Sequence, residues 1–275
     1  MTGRHGMTFP NSRLHALGSF GLRCGVAAIL AIVSVLPMAR AQQDPLTIHP
    51  PEIVWQADGI SAQIAQLSRP GVRHSGRLMI AFLDPARFEA DVTDRLPVFS
   101  DATSARWQLT VDGGFFDENE RPLYLLQEGP QIHAPFRNGT SAVFWCRDGA
   151  CRITHARDYD PYQPVDIAVQ SSPRVFANGA PTVGVRNRNA MASRAGIAIT
   201  RSGQVAVFAT DRWPWQGLTF DEVATLVAPL IGATDILMLD GGSSVVFELD
   251  APGFSLSARG SGRSVPYMIS FFGTG

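Results

Sequence analysis

Apolar runs in this chain are short, and almost every one is closed by glycine, proline or an Asp-Gly pair. With 26 Gly and 19 Pro among 275 residues, few stretches are long enough for a helix. Ile60 to Ser68 alternates apolar and polar with one slip, and Phe88 to Val92 alternates again; both patterns predict strands. Leu78 to Leu83 is a continuous apolar run ending at Asp84-Pro85, the mark of a buried strand. Further strands are expected at Gln108 to Val111, near 122–128, 140–146, 151–155 and 165–170, and at Val205 to Ala209, Ile236 to Leu239, Ser244 to Leu249 and Ser264 to Phe271. Residues 42–52 read as a leader, 99–105 as a short helix and 178–193 as a long loop.

One segment carries clear helical spacing. Thr219-Phe220-Asp221-Glu222 has the form of a capping box. Phe220, Val223, Ala224, Val227 and Ile231 then fall on one face, and Gly232 supplies the stop. The helix stands between two predicted strands, so a right-handed parallel βαβ crossover is expected around residues 205–240. The fold class that follows is α+β, a strand-rich mixed sheet with few helices.

Charge and residue usage remove several classes of function. All 23 basic residues are arginine. A P-loop lysine, a Schiff-base lysine and a Ser-Lys dyad each need an amine, so none is available. The sequence also has no G-x-S-x-G, H-E-x-x-H or EF-hand loop. The first 41 residues hold Arg4, Arg13, Arg23 and Arg40 and no acid, which leaves 19 arginines against 24 acids in the remainder, a charge of −5. No nucleic-acid partner is expected for a chain of that balance.

The N-terminus has the layout of a secretory signal peptide. Three arginines precede an apolar run from Val26 to Leu36, and Ala39-Arg40-Ala41 offers a small-x-small cleavage site. This 11-residue stretch, apolar but for Ser34, falls short of the roughly 20 that a membrane-spanning helix needs, and no later segment is long enough to span a membrane. The expectation is a signal peptide over 1–41, a single domain over 42–275, a periplasmic or secreted location, and no stable membrane span after cleavage; the oligomeric state is not legible. Export changes the reading of Cys146 and Cys151. They flank an Asp148-Gly149 turn between two predicted strands and are expected to form a disulfide across a hairpin. The other reading, a C-x4-C metal half-site, lacks a second cysteine pair.

Two segments share one design. Leu109-Thr110-Val111 runs into Asp112-Gly113-Gly114, and Leu237-Met238-Leu239 runs into Asp240-Gly241-Gly242. Glycine pairs permit left-handed backbone angles and close approach of a ligand. A carboxylate ahead of such a pair sits on a rigid strand end beside open space, a place for a catalytic acid, base or nucleophile. The plainer reading is a tight turn in which Asp bonds its own backbone.

Five motifs then occur in one order: Val111-Asp112-Gly113-Gly114-Phe115-Phe116-Asp117; Gln170-Ser171-Ser172-Pro173-Arg174-Val175; Ser193-Arg194-Ala195-Gly196-Ile197-Ala198; Gly217-Leu218-Thr219 with Glu222-Val223-Ala224; and Leu239-Asp240-Gly241-Gly242-Ser243-Ser244. This order resembles the phosphodiester glycosidase family over roughly Leu78 to Phe272. The resemblance implies hydrolysis of a sugar-1-phosphodiester, of the N-acetylglucosamine-1-phosphodiester kind, at the anomeric carbon–oxygen bond, with a small-molecule or glycan phosphodiester as partner. It points to Asp112, Gly113, Gly114, Arg194, Asp240, Gly241, Gly242, Ser243 and Arg263 in Gly262-Arg263-Ser264-Val265 as site positions. Two departures stand out. The family usually has Asn where this chain has Asp112, and its Asp-Gly-Gly-Gly-Ser is one glycine shorter here.

The chemistry also follows from residue types. An oxocarbenium-like transition state is stabilised by a carboxylate, and Asp240 is the first candidate, as nucleophile or as water-activating base. A phosphodiester is already a good leaving group, but its charge must be held, which arginine forks do bidentately; Arg194 and Arg263 are the candidates. Asp112 is a candidate proton donor if the Asp240 charge raises its pKa. Ser243 and Ser244 could donate to phosphate oxygens. Trp213-Pro214-Trp215 reads either as a sugar-stacking wall or as a loop anchor. His49, His74, His133 and His155 are scattered without ligand spacing, so neither a metal nor a cofactor is expected. Two other functions fit the same residues: a non-catalytic periplasmic sugar-phosphate-binding module, and a metal-dependent phosphodiesterase using Asp112 and Asp240 as oxygen ligands.

Overall fold

The structure is a computed structural model that describes residues 45–94, 106–139, 141–211, 215–260 and 265–274. The segments read as signal peptide and as a helix near residue 100 lie outside these, as do Arg263, Trp213 and Pro214.

In chain order the strands are β1 (Thr47–Ile48), β2 (Glu52–Ala57), β3 (Ile60–Ser68), β4 (Gly76–Leu83), β5 (Phe88–Thr93), β6 (Gln108–Asp112), β7 (Leu126–Glu128), β8 (Gln131–Ala134), β9 (Ala142–Arg147) and β10 (Ala150–His155). They continue with β11 (Ile167–Ser171), β12 (Arg174–Ala177), β13 (Ala180–Pro181), β14 (Ala195–Thr200), β15 (Val205–Thr210), β16 (Ala233–Met238), β17 (Val246–Ala251), β18 (Phe254–Arg259) and β19 (Met268–Gly273). A helix, α1, joins β15 to β16 and runs through Phe220–Glu222, Val223–Val227 and Ala228–Leu230.

The strands form three sheets. The largest has nine strands in the order β1-β3-β4-β15-β14-β16-β12-β13, with β2 paired to β3. The others have five strands each, β10-β9-β11-β7-β8 and β18-β17-β6-β19-β5. Every named strand pairing among the described residues is antiparallel, where a mixed sheet was expected.

The expected βαβ crossover between neighbouring parallel strands is not confirmed. β15 and β16 do run in the same direction, but β14 lies between them and pairs antiparallel with both. The sequence could not show this, because β14 precedes β15 in the chain and enters the gap by a separate hairpin. The helix differs as well. Its middle, Val223–Val227, is a π turn, in which the Ala228 N–H donates to the carbonyl of Val223. Pro229 follows at once; it has no N–H to return to Thr225, so the regular ladder is interrupted at that point. The capping box forms as expected: the Thr219 hydroxyl accepts from the Glu222 N–H at 3.0 Å, and the Glu222 carboxylate accepts from the Thr219 N–H at 2.8 Å.

Strand alternation builds the core in layers. In β4, Met79, Ala81 and Leu83 enter a cluster shared with Leu109, Val111, Phe144, Val169, Phe247 and Phe271 of the two smaller sheets. Their neighbours Leu78 and Ile80 face the other way, with Phe208, the helix residues Val223 and Val227, and Ile231 just after the helix. The nine-stranded sheet is therefore covered on both faces. Each fully buried Val, Ile or Leu contributes roughly 1.5–3 kcal/mol, so the helix is held by its apolar face more than by its broken hydrogen-bond ladder.

The disulfide is present. Cys146 and Cys151 stand opposite each other in the β9–β10 ladder and are bonded, with Cα atoms 4.0 Å apart. The turn between them places Asp148 and Gly149 at φ 53° and 70°, the paired left-handed angles that suit a two-residue hairpin.

Candidate functional site

Strand β6 is the middle strand of its sheet. Its alternation sends Leu109 and Val111 into the core, so Gln108, Thr110 and Asp112 share the opposite face. Thr110 and Ser270 hydroxyls bond each other there at 2.8 Å, and the Gln108 amide donates to Thr110 at 3.2 Å. Asp112 ends this polar row and is fully buried. Its Oδ1 accepts from the backbone N–H of Asp240 at 2.9 Å. Its Oδ2 is buried without a hydrogen-bond partner. Burial, and then the nearby Asp240 charge, push the Asp112 pKa well above the usual carboxylate range, against the opposing pull of the Asp240, Gly114 and Val246 amides. The shift is toward the neutral acid.

That single hydrogen bond brings the two Asp-Gly-Gly turns to one place. Asp240 follows β16 and is half-buried; its Oδ1 accepts from the Gly241 N–H at 2.8 Å. The glycines divide their work the same way in both turns. A Cβ on Gly113 would sit 2.8 Å from the Tyr267 carbonyl oxygen, and one on Gly241 would sit 3.0 Å from that of Ser193. The second glycines, Gly114 and Gly242, take φ of 92° and 61°, which side chains resist. Ser193 is the anchor of the second turn, because its carbonyl accepts from the Gly242 N–H at 2.9 Å. Ser243 is exposed and Ser244 is buried in the short turn Gly242–Ser244.

Arg194 is buried beside this turn. Its Nε donates to the Leu218 carbonyl at 2.9 Å and its Nη2 to the Ala190 carbonyl. Its guanidinium lies over the Phe220 ring, 3.8 Å from the centroid. A Cβ built on Gly241 would be 3.9 Å from Nη1, so the remaining corner of the guanidinium points toward the Asp240 turn. Desolvation lowers the Arg194 pKa to about 10, with Glu222 pulling the other way; the side chain stays charged at neutral pH. One edge of the fork is spent on backbone carbonyls, which leaves Nη1 rather than the Nε–Nη2 pair to meet a ligand. Glu222 in turn is ion-paired with buried Arg69 at 2.6 Å.

The phosphodiester glycosidase family matches residues 105–272, more than half of the chain and the span that carries both turns. The chain belongs to the phosphodiester glycosidase family. Two solved structures share the fold. One is a hypothetical protein from Synechocystis, at 16% identity and a TM-score of 0.60, covering 85% of this chain and 65% of that one. This chain thus spans just under two thirds of that relative. The other is the catalytic domain of zebrafish N-acetylglucosamine-1-phosphodiester alpha-N-acetylglucosaminidase, auto-inhibited by its pro-peptide, at 13% identity and a TM-score of 0.56, covering 83% of this chain and 87% of that one. No curated protein sequence matches the chain.

Within the span that matches the family, some candidates separate from the site and others join it. Arg263 lies outside the described residues. Trp215 is buried, and a Cβ on Gly76 would lie 2.3 Å from its ring, so it anchors its loop and walls no sugar. Ser171 joins the site unannounced. Its hydroxyl is buried without a partner, and it lies 3.7 Å from the point where a Cβ on Gly114 would stand. Its motif was visible in the sequence, but nothing distinguished that serine from a turn residue. Among the described residues no three His, Cys, Asp or Glu side chains gather as a metal-binding set.

Proposed function

We propose that the protein is an exported hydrolase that cleaves a sugar-1-phosphodiester at the bond between the anomeric carbon and oxygen. The observation that carries this reading is the hydrogen bond from Asp240 N–H to the buried Asp112 carboxyl. It sets half-buried Asp240 beside a buried carboxyl that desolvation and the Asp240 charge hold toward its neutral form. Asp240 serves as nucleophile or as water-activating base at the anomeric carbon. Asp112, held toward its neutral form and closed off from solvent, is the proposed hydrogen-bond donor, a role that requires the two turns to part when substrate binds. Arg194 Nη1 offsets the phosphate charge, and Ser243 and the Gly241–Gly242 backbone shape the phosphate's seat. The substrate class comes from the family and from the zebrafish enzyme of the same fold. The disulfide supports export to an oxidising compartment, as does the signal-like N-terminus; among the described residues no helix is long and apolar enough to cross a membrane.

The glycosidase reading predicts that EDTA leaves turnover unchanged; loss of turnover with EDTA would favour the metal-dependent phosphodiesterase. The test of the activity is hydrolysis of N-acetylglucosamine-1-phospho-methylmannoside by the wild-type protein and by Asp240→Asn. A fall in kcat of about 10²–10⁴-fold with the fold intact is expected. Full activity in that variant removes the assignment.

A further inference from the structure

Arg194 takes its direction from one short strap of chain, residues 217–220, which opens α1. Its Nε donates to the Leu218 carbonyl at 2.9 Å, and its guanidinium lies 3.8 Å from the centre of the Phe220 ring. On one flank the strap is held by Ala192, which exchanges backbone hydrogen bonds with Leu218 at 2.9 and 3.2 Å. Gly217 has φ 87°, and a Cβ there would stand 2.1 Å from the Ala192 carbonyl oxygen, so the two segments meet backbone to backbone.

On the other flank the strap hangs on one ion pair. Arg69 follows β3 directly and is buried. Its Nη1 and Nη2 meet the two oxygens of Glu222, each at 2.6 Å, a bidentate fork. Nη2 also donates to the Gly217 carbonyl at 3.2 Å. Glu222 Oε2 accepts from the Thr219 N–H at 2.8 Å and from the Thr219 hydroxyl at 3.1 Å. Both chain neighbours of Leu218 are thus tied to the same pair. A capping box needs no arginine. Net stability is a weak reason for the pair, because desolvation of a buried ion pair commonly offsets its Coulomb gain. Glu222 also pulls the Arg194 pKa upward against burial, so its charge is felt at that guanidinium.

We infer that Arg69 and Glu222 are positioning residues for Arg194: their ion pair fixes the strap that aims Nη1 at the Asp240 turn. The inference rests on the proposed function for what Arg194 holds there, a phosphate oxygen of the substrate. Both residues act through the Leu218 carbonyl and the Phe220 ring.

The test compares the full-length wild type with two variants. Arg69→Met with Glu222→Gln replaces the ion pair by a neutral one and keeps an acceptor for the Thr219 N–H. Arg69→Lys keeps the charge and loses the fork. Hydrogen exchange of the Arg194 Nε–H, followed by 15N NMR, is expected to quicken about tenfold or more in the neutral pair and less in Arg69→Lys, while the Ile197 amide in β14 keeps its wild-type rate. With N-acetylglucosamine-1-phospho-methylmannoside, kcat/KM is expected to fall about tenfold in the neutral pair. Arg194→Ala protein is expected to lose nothing more when the neutral pair is added, because the effect passes through Arg194. Unchanged Arg194 exchange in a folded neutral-pair protein overturns the inference. So do losses in kcat/KM that multiply, which would mark a structural role alone. If the neutral pair does not fold, Arg69→Lys carries the same two measurements. A wild type that hydrolyses no sugar phosphodiester would lose the proposed activity, and the exchange rates would still decide the positioning.

Discussion

At the scale of single residues, the account turns on Asp112. An aspartate in place of the family's usual asparagine looks like the exchange of an amide for a charge. Burial and the Asp240 charge change that, because they hold Asp112 toward its neutral form. A neutral carboxyl is nearly isosteric with an amide: one oxygen accepts from Asp240 N–H, and the other carries a hydrogen to donate. Asp112→Asn is therefore expected to retain turnover within about tenfold, since a phosphodiester leaving group needs a hydrogen bond more than a full proton transfer. In the wild type kcat/KM is expected to fall as pH rises through the raised Asp112 pKa, and in the variant this alkaline limb is expected to disappear. A pH–rate profile of both proteins checks the claim; a variant that is inactive at every pH assigns Asp112 a true proton transfer.

Stability follows with a definite sign. The native state holds the Asp112 proton longer than the unfolded chain does. Its contribution is complete below the unfolded pKa of about 3.9 and is lost as pH rises through the folded value. Urea midpoints at pH 4 and pH 7 should differ less in Asp112→Asn than in the wild type. Both aspartates were legible in the sequence as residues, because each ends an apolar run and precedes a glycine pair. Their unequal environments were not, since Asp112 owes its burial to strands β17 and β19 on either side, and nothing near it in the chain specifies them.

At the scale of elements, the two Asp-Gly-Gly turns divide glycine's two properties between their members. Gly113 leaves room for the Tyr267 carbonyl, and Gly242 supplies a left-handed angle in open space. Gly113→Ala is expected to cost roughly 1–3 kcal/mol from overpacking against backbone. Gly242→Ala is expected to cost about 1–2 kcal/mol. The two positions separate with asparagine, which tolerates left-handed angles: Gly242→Asn recovers most of the loss and Gly113→Asn recovers none. Denaturant unfolding of the four variants reads this directly, and equal recovery at both sites would contradict the division. The capping box and the helix face were legible because their partners lie within a few residues. The position of β14 between β15 and β16 was not, because strand order is set by pairing across the sheet and leaves no local mark. The π turn had a local sign in Pro229, although the apolar spacing of the helix runs past it unchanged.

At the scale of the whole molecule, three antiparallel sheets around shared apolar faces hold two strand ends together. The strand-rich class was visible in the short apolar runs, but the division into three sheets depends on long-range pairing. The hairpin disulfide was visible because its cysteines and its turn are neighbours in the chain. It closes a very short loop, so Cys146→Ser with Cys151→Ser should lower stability by only about 2 kcal/mol and leave kcat unchanged, as thermal unfolding and steady-state assays will show. The central claim is that the family's chemistry, attack at the anomeric carbon, takes place between Asp240 and Asp112. It is tested most directly by incubating the protein with N-acetylglucosamine-1-phospho-methylmannoside in 18O-water and weighing the products by mass spectrometry. The account predicts the label in the free sugar. Label in the phosphate would mean attack at phosphorus and would contradict it.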